Sequence, residues 1–180
     1  MSFGRPFVFL DGDEWQAKFR EFRTEAWRLE TLPEYRMPQE AEEFQRFLAG
    51  ERFAGPFEDY WTGLIRQRKA VGGSIGRVHV LSRPLSDYLR FEFQRYYAHS
   101  ARAGEDIRIL DVTDRENPLL GVQDFWIFDR DTVVLMNYES DGRQISREVY
   151  EGDPDSFIDC QRIAVSESIP FLEYVSRFDL

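Results

Sequence analysis

The chain has 180 residues, 42% hydrophobic and 16% aromatic, which suits one domain with a real core and argues against disorder. Its net charge of −10 disfavours direct nucleic-acid binding, and its single cysteine excludes an internal disulfide framework. No apolar run is long enough to span a bilayer, and the N-terminus lacks the pattern of a signal peptide, so a cytoplasmic protein is expected.

Ser2–Leu10 holds Phe3, Phe7, Val8, Phe9 and Leu10, and reads as an arm packed on the body. Asp11-Gly12-Asp13 offers cap groups for a helix from about Glu14, with Trp15, Phe19, Phe22 and Ala26 at helical spacing. Trp27-Arg28-Leu29-Glu30 alternates; it either extends that helix or forms a short strand. Pro33 breaks what precedes it. Helices follow over Gln39–Ala49, stopped by Gly50, and over about Phe57–Val71, which ends in Arg66, Arg68 and Lys69. Gly72-Gly73 is the clearest internal boundary, dividing a helical part (residues 11–72) from a sheet part (73–180) within one domain.

Arg77–Leu81 alternates as a strand, Ser82-Arg83-Pro84 turns the chain, and Leu85 to Arg102 has helical period. Ser82 is a candidate N-cap, with Pro84 in the first turn. Ala103-Gly104-Glu105 stops the helix before a strand at Asp106–Leu110. The whole is a βαβ unit with parallel strands. On its helix, Leu85, Tyr88, Leu89, Phe93 and Tyr96 share a face, and Glu92 lies in the middle of it. A carboxylate there must be paired, protonated or turned to a cleft, with Arg28, Arg77 and Arg108 or a tyrosine hydroxyl as candidate partners.

Strands at Phe125–Phe128, Thr132–Glu139 and Arg143–Tyr150 are joined by Asp129-Arg130-Asp131 and by Asp141-Gly142, a strong hairpin signal. A last helix covers about Asp155–Val175, kinked or ended by Pro170. The expected fold is α+β: a mixed sheet of about five strands beginning near Ile75, a helical N-terminal region, and a C-terminal helix packed on the sheet.

The stretches Trp27–Glu30 with Tyr35, Phe47-Leu48-Ala49-Gly50-Glu51, Arg77-Val78, Pro84-Leu85-Ser86-Asp87-Tyr88, Glu92, Ala103–Arg108 and Asp124–Asp129 resemble an uncharacterised, mainly actinobacterial domain family. Its members are often encoded beside helix-turn-helix regulators and small partner proteins. The resemblance spans nearly the whole chain and implies a part in regulatory or toxin–antitoxin-like systems. A fainter likeness, carried by the helix leading into Ala103–Leu110 and the strands around Asp129-Arg130-Asp131, is to half of a phospholipase D-type phosphodiesterase. Those enzymes place a lysine two residues after a nucleophilic histidine. Here His79 precedes Val80-Leu81 and His99 precedes Ser100-Ala101, so the catalytic residues are missing.

Chemistry tested on the residues gives little else. One cysteine and two scattered histidines lack metal-site spacing, Asp11-Gly12-Asp13 lacks the later calcium-loop positions, and Gly72-Gly73-Ser74-Ile75-Gly76 lacks the phosphate-loop lysine. No metal or cofactor is expected. His79 reads as a satisfied core or surface histidine, and Cys160 as a core thiol. His99, near a helix end, is placed to favour the dipole as an imidazolium. Ligands of open parallel sheets sit beyond the carboxyl ends of the strands, which points to Ser82, Arg83 and Asp111 with Asp87 and Glu92 as a candidate small-anion site. The functional expectation is a non-enzymatic regulatory protein that binds a helix-turn-helix regulator or another protein partner, with small-anion sensing as the alternative and a degenerate phosphodiesterase behind it. An acidic surface would steer a basic partner.

Overall fold

Residues 10–180 are described by a computed structural model. The arm expected at Ser2–Leu10 lies outside the described residues except for Leu10, which is buried and donates its N–H to the Arg147 carbonyl. In chain order the elements are α1 (Gly12–Glu21), β1 (Glu25–Glu30), α2 (Ala41–Leu48), α3 (Tyr60–Ala70), β2 (Ser74–Leu81), α4 (Asp87–Glu92), a π-helical turn (Phe93–Tyr97), α5 (Ala98–Ala103), β3 (Asp106–Asp111), β4 (Phe125–Phe128), β5 (Thr132–Tyr138), β6 (Gln144–Tyr150), α6 (Asp155–Glu167), β7 (Ile169–Pro170) and α7 (Phe171–Phe178).

The strands form one mixed sheet of seven in the order β6-β5-β4-β1-β2-β3-β7. The α+β class holds, and β2, the α4–π–α5 helix and β3 form the expected βαβ unit with parallel strands. Several features differ from expectation, the first being seven strands where about five were expected. The sheet does not begin near Ile75: β1, from the part read as helical, is its middle strand, parallel to β2 and antiparallel to β4. Residues of β1 are buried on both faces, so the short run carries no clean inside–outside alternation. The last helix is also two helices, because Ile169-Pro170 pairs with Arg108 and Ile109 as an edge strand between them.

The helix of the βαβ unit starts at Asp87 and not at Leu85. Ser86, not Ser82, is its N-cap: the Ser86 hydroxyl oxygen accepts the Leu89 N–H at 3.1 Å. The reason is the length of the ladder. Leu81 still pairs with Asp111, so Ser82 to Leu85 must first turn the chain. The helix then widens into the π turn at Phe93–Tyr97 and ends at Gly104, whose φ of 116° is open to glycine at little cost.

Two apolar layers flank the sheet. On one face Trp27, Leu29, Val78, Val80, Leu110 and Ile127 pack against α6, with Cys160 half-buried beside them. On the other lie two aromatic clusters. One holds Trp15, Phe19, Trp126 and Phe128; the other holds Tyr35, Tyr88, Phe91, Tyr97, Phe171 and Tyr174. Between these two clusters β1 contributes Arg28 and Glu30 and β2 contributes Arg77 and His79 to the same face, and that polar gap positions the site.

Candidate functional site

Strand pairing sets Arg28 beside Arg77 and Glu30 beside His79, all on one face of the sheet. Two like guanidiniums across adjacent strands need carboxylates between them. Glu30 serves both: its Oε1 lies 2.6 Å from Arg77 and 3.2 Å from Arg28. Glu105, at the start of the chain's return into β3, accepts from Arg77 Nε at 2.5 Å and from the Trp61 indole N–H at 3.0 Å. Arg77, Glu30 and Glu105 are all at least nine-tenths buried, so the network is an interior one. Burial alone would push Glu30 up, but Arg28 and Arg77 hold its carboxyl well below the usual range.

His79 is fully buried. Its Nε2 lies 2.9 Å from the Leu32 carbonyl, which can only accept, so Nε2 carries a proton. Its Nδ1 lies 2.8 Å from the Tyr97 hydroxyl, 3.2 Å from Glu30 Oε2 and 3.9 Å from Glu92 Oε2. Tyr97 also reaches Glu30 Oε2 at 2.8 Å.

Glu92 is 7% exposed, as its place on the core face of the helix predicts, but it bonds neither an arginine nor a tyrosine hydroxyl. Its Oε2 has no hydrogen-bond partner among the described residues. The cations expected for it are committed elsewhere: Arg28 and Arg77 to Glu30, and Arg108 to Ser168 on the other side of the sheet. Burial first, and the charge of Glu30 second, push the Glu92 carboxyl well above the usual range.

Arg28, Glu30, Arg77, Glu92 and Tyr97 border a cavity of about 380 Å³ between the sheet and the helices α1, α3 and α4–α5. Trp15, Phe19, Trp61 and Trp126 line it together with Tyr35, Tyr88, Tyr97 and Tyr138. Arg28 donates to the Tyr138 hydroxyl at 2.9 Å, yet its Nε has no partner among the described residues. Arg147, reaching in from β6 over the Trp15 ring, likewise has an unpartnered Nε among those residues. Burial and the nearby Arg28 charge lower its affinity for its proton. Behind the cavity, Asp124 accepts from the Thr31 N–H at 2.9 Å and from the Tyr35 hydroxyl, and burial raises its carboxyl.

The residues read from the sequence as an anion site divide between two places. Arg83 and Asp111 meet at 2.7 Å; Arg83 also reaches Asp114 at 3.3 Å and lies over the Phe178 ring. Asp111 further accepts from the Tyr174 hydroxyl at 2.8 Å and the Thr113 N–H at 2.9 Å. Burial pushes Asp111 up, but these donors together hold it low. Ser82 is exposed at the end of β2, and Asp87 is exposed in the first turn of α4. Glu92 belongs to the interior cavity instead. His99 also departs from expectation. It is buried, and burial with the neighbouring Arg102 charge lowers its proton affinity, so it sits as a neutral ring and not as an imidazolium.

Arg28, Glu30, Glu105 and Arg147 were not singled out as site residues from the sequence. They come from three separate segments, β1, the entry to β3 and β6, and only the sheet register brings them together. The one visible signal was Glu92, a carboxylate on an otherwise apolar helix face.

The fold and site thus define an α+β domain with a charged, aromatic-walled interior against a mixed sheet. The chain belongs to the family described as domain of unknown function DUF6879, whose profile matches residues 13–176. No curated protein matches it. Among solved structures it is similar to Nuc from Salmonella typhimurium, a phospholipase D family member, at 12% identity and a TM-score of 0.47 over 87% of this chain and 90% of that one. Among the described residues, no helix is long and apolar enough to cross a membrane.

Proposed function

We propose that the protein is a non-enzymatic regulatory module that binds a small organic anion in the interior cavity and acts through a protein partner, such as a basic helix-turn-helix regulator. One observation carries the ligand: Arg28 and Arg147 both line the cavity walled by tryptophans, and each keeps a buried Nε–H with no acceptor among the described residues. A buried donor without an acceptor costs about 1–3 kcal/mol, more when charged, and a carboxylate or phosphate would recover that loss. The ring walls suit a flat apolar body behind the acid group. The net charge of −10 supports steering towards a basic partner, with an affinity that falls as salt rises. Phosphodiester turnover is not expected, because both His79 ring nitrogens are already engaged.

The test is a thermal-shift panel of aromatic carboxylates, keto acids and nucleoside monophosphates on the wild type and on Arg147→Gln. A ligand at a hundred times its Kd adds about 2.7 kcal/mol, or about 5–11 °C for a chain of this size. At least one acid should give such a shift, and Arg147→Gln should lose most of it. No response to any acid, or an equal response in the variant, would overturn the reading. Capture of a specific protein at low salt, lost at moderate salt, tests the partner separately.

A further inference from the structure

Acceptor atoms converge on His79. With Nε2–H committed to the Leu32 carbonyl, Nδ1 faces Glu30 Oε2, Glu92 Oε2 and the Tyr97 oxygen. The one Tyr97 hydroxyl proton serves either Nδ1 or Glu30 Oε2, not both. Glu92 Oε2 is left with no partner among the described residues, although Glu92 is 7% exposed. A cation at that point would find one ligand atom from each of three residues.

We propose that Glu30, His79 and Glu92 form a binding site for a divalent transition-metal cation, zinc or manganese, at the floor of the cavity, with the Tyr97 hydroxyl as a neighbouring donor. The geometry suits it. One ligand atom from each of the three residues lies within 4.8 Å of the others, and Nδ1 stands 3.2 and 3.9 Å from the two carboxylate oxygens. Bonds of about 2.0–2.2 Å in a tetrahedron require ligand atoms about 3.3–3.6 Å apart, so a small inward rotation of Glu92 closes the site. The Nε2–H bond to a backbone carbonyl is the usual outer support of a metal-binding imidazole: it orients the ring and aims Nδ1 at the two carboxylates. The arginines do not occupy the cation's place. Arg28 and Arg77 are held on the opposite Glu30 oxygen, Oε1, and Arg77 also on Glu105. The ligand donors are one nitrogen and two or three oxygens, which fits zinc and manganese better than a site for soft metals.

This inference stands whether or not the anion reading holds. The experiment uses the full chain, stripped with a chelator and titrated with zinc, manganese and cobalt(II) chloride at neutral pH. The expected result is uptake of one equivalent, a raised melting temperature, and for cobalt a visible ligand-field spectrum. Glu92→Gln keeps the size of the side chain and should weaken uptake by about tenfold or more. His79→Gln should abolish it. If that variant does not fold, the cobalt spectrum and Glu92→Gln decide. Absence of stoichiometric uptake of all three ions by the wild type would overturn the proposal, leaving protons to fill the cluster. Undiminished uptake by Glu92→Gln would overturn it equally.

Discussion

Arg77 is the joint of the interior network, and replacing it with methionine gives a large, specific prediction. Arg77→Met keeps the apolar stem and removes the guanidinium. Glu30 then keeps Arg28 at 3.2 Å, but Glu105 keeps only the Trp61 N–H at 3.0 Å. Glu105 is 4% exposed, so water cannot replace the lost partner. Breaking a buried pair on one side costs about 3–5 kcal/mol, chiefly through the stranded charge. For a chain of this length that lowers the melting temperature by about 6–20 °C. Adding Glu105→Gln removes the stranded charge. The double variant should therefore be more stable than the sum of the two single losses, by about 1–3 kcal/mol. Urea denaturation of the wild type, both single variants and the double variant closes the cycle. Strict additivity, or a wild-type-like Arg77→Met, would refute the claim that this pair is a buried, mutually dependent unit.

Other perturbations follow from the same structure. Glu40 accepts from the Tyr88 hydroxyl at 2.9 Å, and burial raises it from 4.5 to about 6, so its favourable contribution is intact below about 4.5 and is lost as pH rises through 6. Glu40→Gln should then stabilise the protein by up to about 2 kcal/mol at pH 7.5 and by almost nothing at pH 4, and an equal effect at both values in urea melts would count against it. Asp129 works the other way. Burial pushes it up, but the N–H groups of Thr24, Arg23 and Glu25 hold it low, so its stabilisation exists above the usual carboxylate range and fades as pH falls below it. Asp129→Asn should cost about 1–2 kcal/mol at neutral pH, with the gap closing in thermal melts towards pH 2.5. Gly142, at a φ of 85°, sits so close to the Glu34 carbonyl that a Cβ would clash with backbone. Gly142→Ala should destabilise more than Gly104→Ala, where the Cβ would meet only the flexible Lys69 side chain. A calorimetric comparison of the two decides that.

How much of this was legible in the sequence depended on the range of the interaction. Local signals carried the βαβ unit and the hairpins: alternation at Arg77–Leu81, the helical period through Tyr96, and the turns at Asp129-Arg130 and Asp141-Gly142. Asp129 and Arg130 do take the left-handed φ values, 53° and 59°, that such a tight connection requires. Where a local signal was ambiguous, the tertiary context decided. Trp27–Glu30 alternates like a strand, but nothing local says that β2 and β4 will flank it and bury both its faces. The candidate site was least legible. Glu92 announced itself as a carboxylate among aromatics, yet its neighbours Glu30 and His79 come from two strands whose register no periodicity reveals. Of the arginines expected to pair with Glu92, Arg28 and Arg77 lie close by but are claimed by Glu30, a carboxylate that carried no local signal, and Arg108 is held by Ser168 across the sheet.

The central claim is that the charged interior holds a small acid. Native mass spectrometry of the protein purified from its own cells, compared with the mass under denaturing conditions, tests it directly. The account predicts an additional mass on the folded wild type that disappears on unfolding, is identified as an organic acid, and is depleted in Arg147→Gln. A folded wild-type protein carrying no such mass, and gaining none on incubation with the organic acids of a cell extract, would contradict it.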